Sequence, residues 1–342
     1  MRIFGRAARM IATIALVATA PSTDSHSLSP PAVPVPFTGQ LSVLTYNIHG
    51  LPWPMAWGRP ADFARIAATL RTLRVQGRNP HVVVLQEAFT SEAQAIGQAA
   101  GYPYVVNGAD DDAGSDLTPG PADLRFAARE SWLHGEGIGK YAGSGLQILS
   151  DYPIVDVRRM VFPTFACAGF DCLANKGALL ARIRLPGQAD PVDIVTTHLN
   201  SRRASRVADE RSNHAFAEEL ADLGQFIRHN HDPRNPLVVA GDFNAGQTPA
   251  RRAALIDHAT RDWTPGVMVD NAYDAARNIG IALSTDALLS RQRARDWEFF
   301  APGAMTNMTL RGIEVPFGHD ATGAMLSDHV GYTAIFDMGP RT

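Results

Sequence analysis

Four apolar runs of strand length punctuate the chain, and each one delivers a polar residue at its end. Residues 41–46 lead to Asn47, residues 81–86 to Glu87, residues 192–197 to His198, and residues 237–241 to Asp242 and, two positions on, Asn244. A fifth polar group, Ser327-Asp328-His329, stands directly before a last apolar run over residues 330–336. Strands buried on both faces read as unbroken apolar stretches of this kind. Between them the spacing becomes helical. Phe63, Ile66, Ala67, Leu70 and Leu73 share one face over residues 62–76, and Phe216, Leu220, Leu223 and Ile227 form a stripe over residues 207–229. Residues 91–100 read as a short helix with Ser91 as N-cap and Gly101 as its stop, and Thr248-Pro249 opens another with proline in its favoured first turn. Strands alternating with helices predict a layered α/β domain. Residues 107–137, where Asp110, Asp111, Asp112 and Asp116 lie among glycines and prolines, read as a solvated loop. Residues 301–324 read as a surface excursion before the last strand.

Charge and composition narrow the setting. The 342 residues are 45% hydrophobic and 19% charged, an ordinary balance for a chain with a sizeable core. Arg2, Arg6 and Arg9 precede a short apolar stretch, residues 10–20, that ends in Ala18-Thr19-Ala20. This is the form of a secretory signal with a small-x-small cleavage site, and the stretch is too short to span a bilayer. The expected organisation is a signal peptide at 1–20, a Ser/Pro-rich linker at 21–40 and one catalytic domain at 41–338, in a secreted or periplasmic protein. Loss of the first twenty residues removes three arginines and no acid, taking the formal charge from −3 to −6. Such a chain has no bulk attraction to polyanions, which argues against a nucleic-acid enzyme unless a local basic groove exists. Cys167 and Cys172 are the two cysteines, and export favours a small-loop disulfide between them.

The polar strand ends carry the chemistry. Glu87 follows a fully apolar run, where an unpaired carboxylate is costly to bury, so it is read as the main ligand of a divalent cation. Gly241-Asp242-Phe243-Asn244 sets two short polar groups on one side of extended chain, with glycine allowing a tight turn. Asp242 would orient a water or take its proton, and Asn244 would donate to a phosphoryl oxygen; an Asx-type turn uses the same residues. His329 suits proton transfer near neutral pH, and His198 suits hydrogen-bond donation to developing negative charge.

In this order and spacing, Thr45-Tyr46-Asn47-Ile48, Leu85-Gln86-Glu87, Thr197-His198-Leu199, Gly241-Asp242-Phe243-Asn244 and Ser327-Asp328-His329 resemble the endonuclease/exonuclease/phosphatase superfamily over about residues 41–336. The resemblance implies a four-layer α/β/β/α sandwich of two packed mixed sheets flanked by helices, with the site at one edge, and metal-dependent hydrolysis of phosphoesters. Lys176-Gly177 and the segment around Gly145 resemble the neutral and bacterial sphingomyelinases within it. That branch implies Mg²⁺, with Mn²⁺ or Co²⁺ as substitutes, and cleavage of sphingomyelin to ceramide and phosphocholine.

Carried over, the metal candidates are Asn47, Glu87 and Asp328, and the catalytic candidates are His198, Asp242, Asn244, Asp296, Asp328 and His329. Asp296 falls at the family's Asp-Tyr position with Trp297 replacing the tyrosine. His329 or Asp242 would take the proton, with Asp328 or Asp296 in support. Trp53 and Trp57, close after Asn47, would seat on a phospholipid surface or wall a pocket, with Phe162, Phe165 and Phe170 as a second such loop. Lys176 would contact substrate phosphate or form an ion pair. The expected partner is a membrane of sphingomyelin or a related choline lipid, nucleic acid is the alternative substrate, and no protein partner is inferred.

Overall fold

The structure is a computed structural model and describes residues 35–51 and 55–341. The expected signal peptide, most of the linker and Trp53 lie outside the described residues. The described residues build two six-stranded sheets. The first comprises β1 (Gln40–Asn47), β2 (Val82–Gln86), β3 (Tyr104–Asn107), β4 (Gln147–Ser150), β11 (Thr306–Phe317) and β12 (Gly331–Pro340), in the order β11-β12-β1-β2-β4-β3. The second comprises β5 (Ile154–Val161), β6 (Gly177–Ile183), β7 (Val192–His198), β8 (Leu237–Asp242), β9 (Asp270–Asn271) and β10 (Asp296–Ala301), in the order β5-β6-β7-β8-β10-β9. Both sheets are mixed, with β1–β2 and β7–β8 parallel and the other pairs antiparallel.

Residue alternation explains the layering. Val82 and Val84 on β2 face Leu179, Ile194, Val238 and Ala240 across the space between the sheets. Their neighbours Val83 and Leu85 point outward onto Phe63, Ile66 and Leu70 of the helix Arg59–Val75. On the other side Val195 and Val239 pack against Phe216, Leu220 and Leu223 of the helix Asp209–Asn230. The result is helix, sheet, sheet, helix, the sandwich expected from the resemblance. Each helix is the crossover of its parallel pair, which an antiparallel hairpin would not need. Parallel strands end at the same edge, so Asn47 and Glu87 emerge together from one sheet and His198 and Asp242 from the other.

Several local expectations change. Residues 301–324 are not a loose excursion, since β11 runs for twelve residues against β12. Residues 91–100 form two short helices, Ser91–Gln94 and Ile96–Ala99, and the cap is Thr90, whose hydroxyl accepts the Ala93 amide at 3.3 Å. The acidic stretch 107–137 contains the helix Pro121–Ala127, with Phe126 buried. Phe162 is a core residue of the second sheet's outer face rather than part of an exposed loop. Cys167 and Cys172 form the expected disulfide.

Candidate active site

Three residues at the strand ends hold left-handed backbone without being glycine: His49, Glu87 and Asn244, at φ of 51°, 60° and 49°. Such geometry persists where the surroundings over-determine it, and here it turns each side chain into one cleft. Gly50 shows how tightly this is enforced, because a Cβ there would meet the Glu87 carbonyl oxygen at 2.1 Å. Gly241 has a different reason from the turn expected of it. It lies inside β8, where the backbone of Thr197 approaches so closely that a Cβ would come within 2.3 Å of its carbonyl oxygen.

Asp242 is the centre of the arrangement. Its Oδ2 accepts from Asn47 Nδ2 at 3.0 Å and lies 3.6 Å from His198 Nε2 and 3.7 Å from His329 Nε2. Its Oδ1 accepts the Asn244 amide at 2.9 Å, so the Asx-type turn and the cleft position are both real. Asn47 Nδ2 also donates to Glu87 Oε1 at 2.9 Å, joining the two sheets through one amide. Asn244 itself lines the cleft, with its Nδ2 donating to the Leu199 carbonyl at 2.9 Å.

His329 is paired with Asp296, not with its sequence neighbour. Its Nδ1 donates to both Asp296 oxygens at 2.9 Å, while Asp328 lies at the rim, within 3.0 Å of His49 Nδ1 and 3.5 Å of Arg295 Nη1. The register explains the choice, since Asp296 opens β10 directly opposite Asp242. Ser327 fixes the approach: its hydroxyl donates to the Asn47 carbonyl at 2.7 Å and accepts the His329 amide at 3.2 Å. Burial opposes charge on His329, but Asp296 and Asp242 outweigh it and push its pKa up to about 10. Burial would likewise raise Asp242, and the charge on His329 holds it below the usual carboxylate range.

His198 is the electrostatic opposite. Burial, followed by the nearby Lys176 charge, lowers its pKa to about 3, so its ring is neutral. Lys176 Nζ has only protons to give, and it reaches His198 Nε2 at 3.2 Å, the Leu199 carbonyl at 3.1 Å and Asp171 Oδ1 at 3.0 Å. Nε2 is therefore an acceptor in this arrangement, and the cationic donor beside the cleft is Lys176, which is 5% exposed.

Whether the cleft suits a cation is decided at Glu87. Its Oε2 is shielded from solvent and has no hydrogen-bond partner among the described residues, and burial raises the carboxyl's pKa. An orphaned anionic oxygen beside the Asn47 amide and the Asp242 carboxylate is a donor set for a hard divalent ion, so the residues fit magnesium. Asp242, Asp296 and His329 also bring their ligand atoms within 4.8 Å of one another, but there the imidazolium already serves as the cation. Asp328 is taken up by His49 and Arg295 and stands outside the Asn47–Glu87–Asp242 cluster.

The cleft has a volume of about 1610 Å³. Arg202, Arg203, Arg206, Arg293 and Arg295 also line the cleft, a basic lining hidden in the sequence because it comes from two segments far apart in the chain. Met55, Ile138 and Tyr141 line its mouth and are exposed, and Trp57 stands 75% exposed near Met55. Phe170 also lines the cleft. His49 escaped notice although it lies one residue beyond the segment Thr45-Tyr46-Asn47-Ile48.

The model of the Endonuclease/Exonuclease/phosphatase family matches residues 44–329, and the chain belongs to that family. Among curated proteins it is 26% identical over 218 residues to a protein named sphingomyelinase from Mycobacterium tuberculosis (strain ATCC 25618 / H37Rv). That match covers 64% of this chain and 36% of the relative, so the chain spans about a third of the relative's length. A beta toxin variant from Staphylococcus aureus with bound magnesium ions has a TM-score of 0.57 at 20% identity, over 86% of this chain and 99% of the other. TDP2 of D. rerio, complexed with a single-strand DNA product, has a TM-score of 0.55 at 17% identity, over 87% and 98%. Likeness at these identities extends to the fold.

Proposed function

We propose that the chain is an exported, magnesium-dependent phosphodiesterase of the phospholipase C type that hydrolyses sphingomyelin to ceramide and phosphocholine. The observation that carries the reading is the orphaned Glu87 carboxylate of one sheet facing the Asp242–His329–Asp296 group of the other across a single cleft. Magnesium, held by Glu87 and Asn47, would neutralise charge on the phosphoryl group and make it susceptible to water. Asp242 orients that water, and His329 removes its proton while Asp296 holds the imidazole and balances the charge it gains. A pKa of about 10 reflects the Asp296, Asp242 and Asp328 carboxylates around His329. Engagement of Asp242 by ligand would weaken one of these contributions and shift the imidazole downward, in the direction a base needs. Lys176 supplies positive charge beside the phosphoryl oxygens and His198 shapes its position, while Asn244 directs its free amide hydrogen to the same group. Asp328 is assigned to the rim, where it orders His49 and Arg295.

The lipid reading draws support from the exposed Met55, Trp57, Ile138 and Tyr141 around the mouth, side chains suited to a membrane interface. The arginines lining the cleft favour a second reading, a metal-dependent nuclease, because they supply local positive charge that the net charge lacks. The experiment is phosphocholine release from sphingomyelin vesicles by residues 21–342, with Mg²⁺ and then EDTA, beside plasmid DNA under the same conditions. Mg²⁺-dependent release that is lost in His329→Ala, with intact plasmid, supports the lipid reading. Nicked plasmid and untouched vesicles replace it with the nuclease. Export is tested by sequencing the mature N-terminus, expected near Pro21.

A further inference from the structure

Away from the cleft, a second group of ligating side chains joins two elements that are distant in sequence. Asp123 belongs to the helix Pro121–Ala127, and His214 and Glu218 lie one turn apart on the helix Asp209–Asn230. Their ligand atoms all fall within 4.8 Å of one another, and none of the three lines the cleft.

The imidazole is oriented but unsatisfied. Its ring packs on Phe126 with centroids 4.3 Å apart. Its Nε2 is shielded from solvent and has no hydrogen-bond partner among the described residues, although the Glu218 Oε1 carboxylate oxygen stands 3.9 Å away. A histidine placed to bond that carboxylate directly would sit closer. Two ligands at about 2.0 Å on a tetrahedral ion are about 3.3 Å apart, so the gap needs only a small inward movement to close on a cation. Asp123 already uses Oδ2 to accept the Gly120 amide at 2.7 Å, which fixes its carboxyl and leaves Oδ1 for a ligand. Each of the three residues is half-exposed, so solvent can complete the coordination.

We propose that Asp123, His214 and Glu218 form a second metal site that takes a borderline divalent cation of the zinc class and pins the helix Pro121–Ala127 to the helix Asp209–Asn230. One imidazole and two carboxylates favour Zn²⁺ over Mg²⁺, which prefers oxygen ligands and retains its waters. The pinned helix belongs to the segment that continues to Ile138 and Tyr141 at the cleft mouth. Occupancy therefore stiffens one wall of the cleft without touching its chemistry.

The test is calorimetric titration of Zn²⁺ into the full chain carrying Glu87→Gln, in excess Mg²⁺, so that the cleft does not compete. One equivalent is expected to bind and to raise the melting temperature. His214→Ala added to that background is expected to weaken binding by more than the roughly 10- to 100-fold that loss of an outer-shell partner costs. Glu218→Gln, which keeps the shape and removes the charge, should also weaken it and guards against a folding defect in the alanine variant. Absence of Zn²⁺ binding in the Glu87→Gln chain, or binding unaffected by His214→Ala and Glu218→Gln, overturns the site. Neither result bears on the cleft, whose test is phosphodiester turnover.

Discussion

Replacing Asp296 by asparagine changes one oxygen to nitrogen and removes one charge from the partner of His329. An imidazole with a pKa of 6.5 when unfolded and about 10 when folded gains about 5 kcal/mol at about 1.4 kcal/mol per pH unit. That gross figure is shared by Asp296, Asp242 and Asp328 after burial has been overcome. Asp296 contributes both charge and the 2.9 Å contacts to Nδ1, so its neutralisation should lower the His329 midpoint by about 1–3 pH units, the range for loss of an adjacent opposite charge. The sign for stability follows. The raised pKa adds stability that is complete below pH 6.5 and disappears as pH climbs through about 10. The melting temperature of the metal-free parent should therefore fall across that window, and the Asp296→Asn variant should be flatter there. The amide can also turn its nitrogen to Nδ1 and select the wrong tautomer, the effect that costs a serine protease about 10⁴-fold in kcat. The assays are an NMR titration of the imidazole without metal, and turnover of bis(4-nitrophenyl) phosphate with Mg²⁺, a substrate that does not presuppose lipid or DNA. An unchanged midpoint together with an unchanged kcat would refute the assignment of Asp296 as the partner that sets His329.

The other expectations concern the metal and its supports. Glu87→Gln should leave the metal-free protein slightly more stable, because it removes a carboxylate that burial penalises, yet abolish the gain of about 2.7 kcal/mol that a ligand at 100 times its Kd confers; thermal melts with and without Mg²⁺ read both effects. Gly50→Ala should cost about 1–3 kcal/mol in urea unfolding, the usual range for overpacking, and weaken Mg²⁺ activation because the Glu87 carbonyl must move. Lys176→Met should cost about 3–5 kcal/mol by leaving Asp171 buried without its partner. It should also depress kcat beyond what the remaining folded fraction explains. Unchanged urea midpoints in the last two variants would contradict the packing described.

The strands that were legible in the sequence are those covered on both faces. β1, β2, β7 and β8 are fully or almost fully buried, so their apolar runs were unbroken and their polar ends stood out. β11 was missed because it alternates: Met308 and Leu310 pack inward while Asn307, Thr309 and Arg311 face solvent, and the register shifts after Leu310. Asp296 was recognised, but nothing in the chain's order says that His329 turns away from the adjacent Asp328 to a residue thirty-three positions earlier. That choice is made by the antiparallel register of β10 on β8. The acceptor state of His198 was equally hidden, since it depends on Lys176 arriving from β6's leading edge with no proton-accepting atom of its own. Arg251 gave no sequence signal at all. It is 2% exposed and donates to the Asn200 and Ser212 carbonyls and to that of Asn244, fixing the backbone behind the cleft.

The strand order has a consequence for how the molecule comes into being. β5 through β10 complete the second sheet from one continuous stretch, whereas the first sheet joins β1–β4 to β11 and β12 from the far end of the chain. One edge of β1 is completed only by β12, about 290 residues further along the chain. The same late segment delivers Ser327 and His329. Contacts of such long sequence separation close slowly, and until they close the polypeptide holds Glu87 and Asp242 without the imidazole between them. Completion of the cleft is thus tied to closure of the first sheet, because His329 reaches Asp296 and Asp242 only where β12 has come to lie beside β1.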